Sequence, residues 1–198
     1  MMPAMPTTHL LYLHGFRSSP LSAKARLMAQ RVAREHPSVV WWCPQLPPAP
    51  QEAVRLLMQG VAAWPRHSMA VVGSSLGGFY ASWVADELDC KAVVLNPAVY
   101  PARDLAQYVG EHGSWHDPAQ RFVFEPAFVD QLRLLQRPAP RRPANYYAVV
   151  AKGDEVLDWR EMLERYAGAT IRLLEHGDHA LSDFDAHLGG VLDFLDLV

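Results

Sequence analysis

Apolar residues fall along the chain in two alternating rhythms. Six short runs carry them on consecutive positions: HLLYL at 9–13, VVWWC at 39–43, MAVV at 69–72, AVVL at 92–95, YYAVV at 146–150 and TIRLL at 170–174. Uninterrupted apolar runs of this length predict strands covered on both faces, as in a parallel sheet. Between the runs the apolar positions recur at spacings of three and four. Leu21, Ala25, Met28 and Val32 form one such stripe, and Val54, Leu57, Met58, Val61 and Trp64 form another behind Pro50. Phe79, Trp83 and Leu88 mark a third helix, and Met162, Tyr166 and Val191, Phe194, Leu195 mark two more. Ser19 is placed to cap the first helix, with Pro20 in its opening turn.

Strand and helix in alternation predict an α/β fold of three layers, a mostly parallel six-stranded sheet with helices on both faces. With the first strand central and the third beside it, the strand order is 2-1-3-4-5-6. The chain then reverses direction across the sheet between strands one and three, which is the crevice where open α/β sheets bind ligands. One stretch breaks the alternation. Residues 96–145 span 50 positions, far beyond the usual few residues plus one helix, and carry seven prolines and six aromatic residues. Within it, 105–108 and 128–135 have helical character. A decorated crossover and a small lid over the strand ends both fit that pattern.

Composition narrows the setting. The 198 residues suit a single domain over 1–198. Half of them are hydrophobic, which excludes a disordered chain. A net charge of −3 leaves no electrostatic footprint for nucleic acid or an anionic membrane. No apolar run reaches the roughly 20 residues of a transmembrane helix, and the first residues have neither the basic start nor the apolar core of a signal peptide. Cys43 and Cys90 are too few for a disulfide scaffold and fit a reducing compartment. These features predict a soluble cytoplasmic protein whose partner is a small molecule.

Chemistry enters after the third run, where Gly73-Ser74-Ser75-Leu76-Gly77-Gly78 leads into a helical stripe. Gly73, Ser75 and Gly77 satisfy G-x-S-x-G, the pattern of a strained strand-to-helix turn that exposes a nucleophilic serine. A glycine-rich turn that merely packs helix on strand gives the same letters. Ser74 is the rival nucleophile, one position before the centre of the pattern. His14-Gly15-Phe16 ends the first strand, on the loop that would supply an oxyanion donor. The Phe16 amide and the amide of Leu76, which follows the serine, are the expected pair. An acid and a base are then expected in that order, each after a later strand. The fifth strand is followed by Asp154, with Glu155 and Asp158 as alternatives, and the sixth by His179, with His176 as its alternative. No metal-binding H-E-x-x-H, P-loop or dinucleotide fingerprint occurs.

Five stretches together resemble the YqiA/YcfP-type esterases of the α/β-hydrolase superfamily: YLHGFRSSP at 12–20, GSSLGGFYA at 73–81, LNPAVYP at 95–101, KGDEVLDW at 152–159 and GDHALSDF at 177–184. The resemblance covers most of the chain and weakens between 111 and 142. It implies a serine esterase or thioesterase without a cofactor, with Ser75 as nucleophile, Asp154 as acid and His179 as base. Tyr100, Trp115 and Phe122, aromatic residues of the long interval, are the expected acyl-binding wall. Two other readings share these residues: an amide or peptide hydrolase with the same triad, and a binding module that keeps the fold without the chemistry.

Overall fold

A computed structural model describes residues 6–114, 117, 119 and 121–197. All six apolar runs become strands of one sheet. They are β1 (His9–Leu13), β2 (Val40–Trp42), β3 (Met69–Ser74), β4 (Lys91–Leu95), β7 (Tyr146–Ala151) and β8 (Thr170–Leu174). Every pairing is parallel, and the spatial order is β2-β1-β3-β4-β7-β8. Counted over the six runs this is the expected 2-1-3-4-5-6, with the reversal between β1 and β3.

The pleat explains why the central runs are apolar throughout. Leu11, Leu13, Val71, Val94, Ala148 and Val150 point to one face, while Leu10, Tyr12, Ala70, Val72, Val93, Leu95 and Val149 point to the other. The first face is covered by α2 (Pro50–Gly60), α3 (Leu76–Leu88) and α6 (Trp159–Arg165), the second by α1 (Ala23–Glu35) and α7 (Asp185–Phe194). β2 and β8 lie at the sheet edges and are only partly buried. Cys43 and Cys90 are free thiols. Among the described residues no helix is long and apolar enough to cross a membrane.

Two details depart from the reading of the sequence. The first helix begins at Ala23 with Ser22 as its flanking residue. Ser19 serves the preceding turn instead: its hydroxyl accepts from the Leu21 amide and its carbonyl from the Ser22 amide. Pro20 fixes that turn, which delays the helix by three residues. The second detail lies in the long interval, which contains more structure than its two helical segments predict. It folds into α4 (Pro101–Leu105) and a short 3₁₀ turn at 106–108. An antiparallel hairpin of β5 (Gly110–Gly113) and β6 (Arg121–Phe124) follows, and α5 (Pro126–Leu135) completes it. Gly110 pairs with Phe124 and His112 with Phe122.

Candidate active site

In the middle of the sheet the chain passes from strand to helix within one residue. β3 ends at Ser74 and α3 starts at Leu76, leaving Ser75 between them at φ 56° and ψ −122°. A non-glycine residue held at positive φ costs on the order of 1–3 kcal/mol and persists only where its surroundings over-determine it. Here they do. The Ser75 amide donates to the Leu95 carbonyl at 3.0 Å, and its carbonyl accepts from Gly78 at 2.9 Å and from Ala98 at 3.0 Å. A Cβ on Gly73 would lie 2.1 Å from the Gly77 oxygen, and one on Gly77 would lie 2.0 Å from the Leu13 oxygen. Only glycine lets the helix start this close to β1 and β3. Ser74, the rival, is the buried last residue of β3.

The imidazole reaches this serine from the loop after β8. His179 Nε2 lies 3.0 Å from Ser75 Oγ, and His179 Nδ1 lies 2.8 Å from Asp154 Oδ2. The carboxylate fixes the tautomer: Nδ1–H donates to Asp154, and bare Nε2 accepts the serine hydroxyl. Asp154 is itself held. Its Oδ1 accepts from the Val156 and Leu157 amides, both at 2.8 Å, and its side chain is fully buried. The loops that carry Asp154 and His179 run side by side because both contain glycine. A Cβ on Gly153 would stand 2.2 Å from the Gly177 oxygen, and Gly177 itself sits at φ 110°.

The alternatives occupy other places. His176 is exposed on the strand end. Asp158 caps α6 by accepting from the Arg160 amide. Glu155 Oε2 accepts from the main-chain amide of His179 at 2.9 Å, so it grips the backbone of that loop. That contact joins residues 24 positions apart, and nothing in the local sequence distinguishes it from a second candidate acid. Lys24, on α1, donates its ammonium to the Ala180 carbonyl just past His179. Burial lowers that ammonium to about 8, against the opposing pull of Asp178 and Asp154.

The first loop closes the other side. Gly15 packs on the serine, since a Cβ there would meet Ser75 Cβ at 3.2 Å. Leu76 is the first residue of α3, so its amide has no acceptor within the helix. His14 is buried and accepts from the Leu46 amide through Nε2 at 3.1 Å, tying this loop to the segment after β2. The Phe16 ring stands in an aromatic cluster with Tyr108, His112, Phe122 and Phe124, at centroid distances of 5.8, 5.8, 5.9 and 5.3 Å.

A cavity of about 890 Å³ opens over Ser75 and His179, walled by Leu27, Ala98, Leu105, Tyr108, Leu157 and Phe184. A second, of about 590 Å³, lies beyond Gly15 and Phe16 against Leu46, Leu56, Tyr80 and Phe122. Of the three aromatic residues expected to line an acyl site, Phe122 borders this second cavity. Tyr100 borders neither cavity: it is 43% exposed, on the turn before α4, with the Arg103 guanidinium 5.0 Å over its ring. Tyr108, beyond α4 at the end of the 3₁₀ turn, takes the place by the larger cavity that Tyr100 was expected to hold. Trp115 lies outside the described residues.

Solved structures share this architecture. Alpha/beta hydrolase domain-containing protein 10 from mouse superposes with a TM-score of 0.69 at 13% identity, over 96% of this chain and 91% of its own. Est1E from Butyrivibrio proteoclasticus gives 0.70 at 12% identity, over 96% and 87%. An esterase domain from a Rhodothermus marinus protein gives 0.67 at 21% identity, again over 96% and 87%. At these identities the likeness establishes an α/β-hydrolase fold. At the level of sequence a family profile matches residues 9–196, nearly the whole chain, and by that match the protein belongs to the YqiA/YcfP-type family described as uncharacterised protein family UPF0227.

Proposed function

We propose that this protein hydrolyses carboxylic esters or thioesters of small molecules through an acyl-enzyme formed on Ser75. The observation that carries the reading is the unbroken hydrogen-bond chain from Ser75 Oγ through His179 to the buried Asp154 carboxylate. In the first half-reaction Ser75 Oγ bonds to the carbonyl carbon while its proton passes to His179 Nε2. The carbonyl electron pair collects on oxygen, where the amides of Phe16 and Leu76 receive it. Collapse of this intermediate breaks the bond to the leaving oxygen or sulfur, which takes the proton back from Nε2. Water then attacks the acyl-enzyme, gives a proton to Nε2 and releases the carboxylic acid, and Nε2 returns the proton to Ser75. Asp154 stays ionised throughout and stabilises the imidazolium.

The substrate side of the reading rests on the walls. The larger cavity is apolar on the side of Leu105, Tyr108 and Leu157, as an acyl chain requires, and much of that wall comes from the 96–145 interval. We assign that interval the role of a lid built into the crossover. The reading is tested by treating the protein with a fluorophosphonate and mapping the modified peptide. Labelling at Ser75, its loss in Ser75→Ala and turnover of p-nitrophenyl esters or acyl thioesters are the expected results. Labelling retained in Ser75→Ala, or turnover confined to amides, would overturn the reading.

A further inference from the structure

The loop that carries His179 has no regular secondary structure, and its hold on the rest of the molecule comes from side chains of distant elements. One of these makes two of the contacts and ties them to the end of β7 with a third bond. Asn96, the first residue after β4, is completely buried and sits at φ 40°. Its Oδ1 accepts from the Ala151 amide at 2.8 Å. Its Nδ2 donates to the Asp178 carbonyl at 3.0 Å and to the His179 carbonyl at 3.3 Å. The orientation of the carboxamide is unambiguous, because one end faces an N–H and the other faces two carbonyls.

The neighbours of Asn96 address the other end of the hydrogen-bond chain. Leu95 accepts from the Ser75 amide and Ala98 donates to the Ser75 carbonyl, both at 3.0 Å. Three residues of the stretch 95–98 therefore bind the main chain of the serine on one side and the main chain of the histidine on the other. Ala151, the third partner, ends the strand from which Asp154 follows three residues later. No other side-chain type has an acceptor at one end and two donors at the other on so short a stem. A carboxylate in its place would confront two carbonyl oxygens.

We propose that Asn96 is a positioning residue that sets His179 relative to Ser75 and Asp154; this rests on the triad reading given above. A loose base loop leaves binding of substrate almost intact and degrades proton transfer, so the effect belongs in kcat. Misplacement of a reacting group by about 1 Å costs on the order of 100-fold. Asn96→Asp keeps the volume and the acceptor toward Ala151 while removing both donors, and Asn96→Ala removes all three bonds. The comparison is made on wild type, both variants and Leu188→Ala, a buried α7 residue that lines neither cavity and serves as a destabilised control. Steady-state kinetics on p-nitrophenyl butyrate are run below each variant's melting temperature. The low-field proton resonance of the His179–Asp154 hydrogen bond is recorded alongside.

The expected result is a kcat roughly 100-fold lower in both variants, with KM within about threefold of wild type. The low-field resonance should shift or broaden in both, while Leu188→Ala loses stability only. If Asn96→Ala fails to fold, Asn96→Asp carries the comparison. A kcat within about threefold of wild type in the folded variants, with the resonance unmoved, would reduce Asn96 to a structural residue and overturn the proposal. Wild-type protein left unlabelled by fluorophosphonate would instead remove the triad reading, and this proposal with it.

Discussion

Replacing Asp154 by asparagine tests the proposed chemistry with the least disturbance to the fold. The structure dictates which way the new side chain turns. Val156 and Leu157 both point their amides at Oδ1, at 2.8 Å, so the carboxamide oxygen must stay there. The NH₂ group then occupies the Oδ2 position, 2.8 Å from His179 Nδ1. Two donors cannot face each other, so Nδ1 becomes the acceptor and the ring proton moves to Nε2, aimed at Ser75 Oγ. The base is now protonated where it must accept. Loss of the working tautomer costs about 10⁴ in kcat, or roughly 5.4 kcal/mol of barrier. Stability should change little, because every hydrogen bond of the wild-type site still has a partner. Asp154→Ala gives the opposite signature: it strips the Val156 and Leu157 amides of their shared acceptor, and each lost hydrogen bond costs about 0.5–1.5 kcal/mol of stability. Turnover of p-nitrophenyl acetate and urea denaturation of both variants decide the matter. A loss below tenfold in folded Asp154→Asn would show that Asp154 does not set the histidine tautomer.

Other perturbations probe the surroundings. Gly153→Ala forces the acid and base loops apart by about 1 Å, since its Cβ would begin 2.2 Å from the Gly177 oxygen, and kcat should fall on the order of 100-fold; full activity in folded protein would mean the two loops need not touch. Lys24 has its ammonium lowered to about 8 from 10.5, so between these values the folded chain gives up its proton while the unfolded chain keeps it. The unfolded state then binds more protons, and stability should rise with pH through that window. Urea unfolding should show that rise in wild type and lose it in Lys24→Met; parallel curves would refute the burial account. Tyr108→Ala and Phe122→Ala should reorder a series of acyl esters from acetyl to palmitoyl while Ser75 remains open to a small phosphonate. An unchanged order in both would remove the lid assignment.

What the sequence disclosed follows from how locally each feature is determined. β3 and β4 are buried on both faces, so their apolar runs stand out, and the Gly73–Gly77 spacing is itself a steric requirement of the turn at Ser75. The hairpin stayed hidden because RFVF is only four residues long and its partner GEHG has no strand-favouring residue; the pair is held by the rings around Phe16. Asn96 reads as an ordinary turn residue, and its partners lie 55, 82 and 83 positions away. Glu155 is the same case, adjacent to Asp154 in the chain and bonded instead to the main-chain amide of His179. Tyr100 and Tyr108 both sit in the interval, and only the path of α4 and the following turn decides which of them meets the cavity.

The ring of Phe16 belongs to the hairpin's aromatic cluster, while its main chain offers one of the two proposed oxyanion donors. On the proposed function, breadth of substrate and speed of turnover are therefore coupled in this protein. A mutation that widens the cluster to admit a larger guest would also loosen the amide proposed to meet the developing charge, and so would lower the rate. A hairpin transplanted from a relative would have to travel with its own version of residues 14–17, because the Phe16 ring packs directly on it.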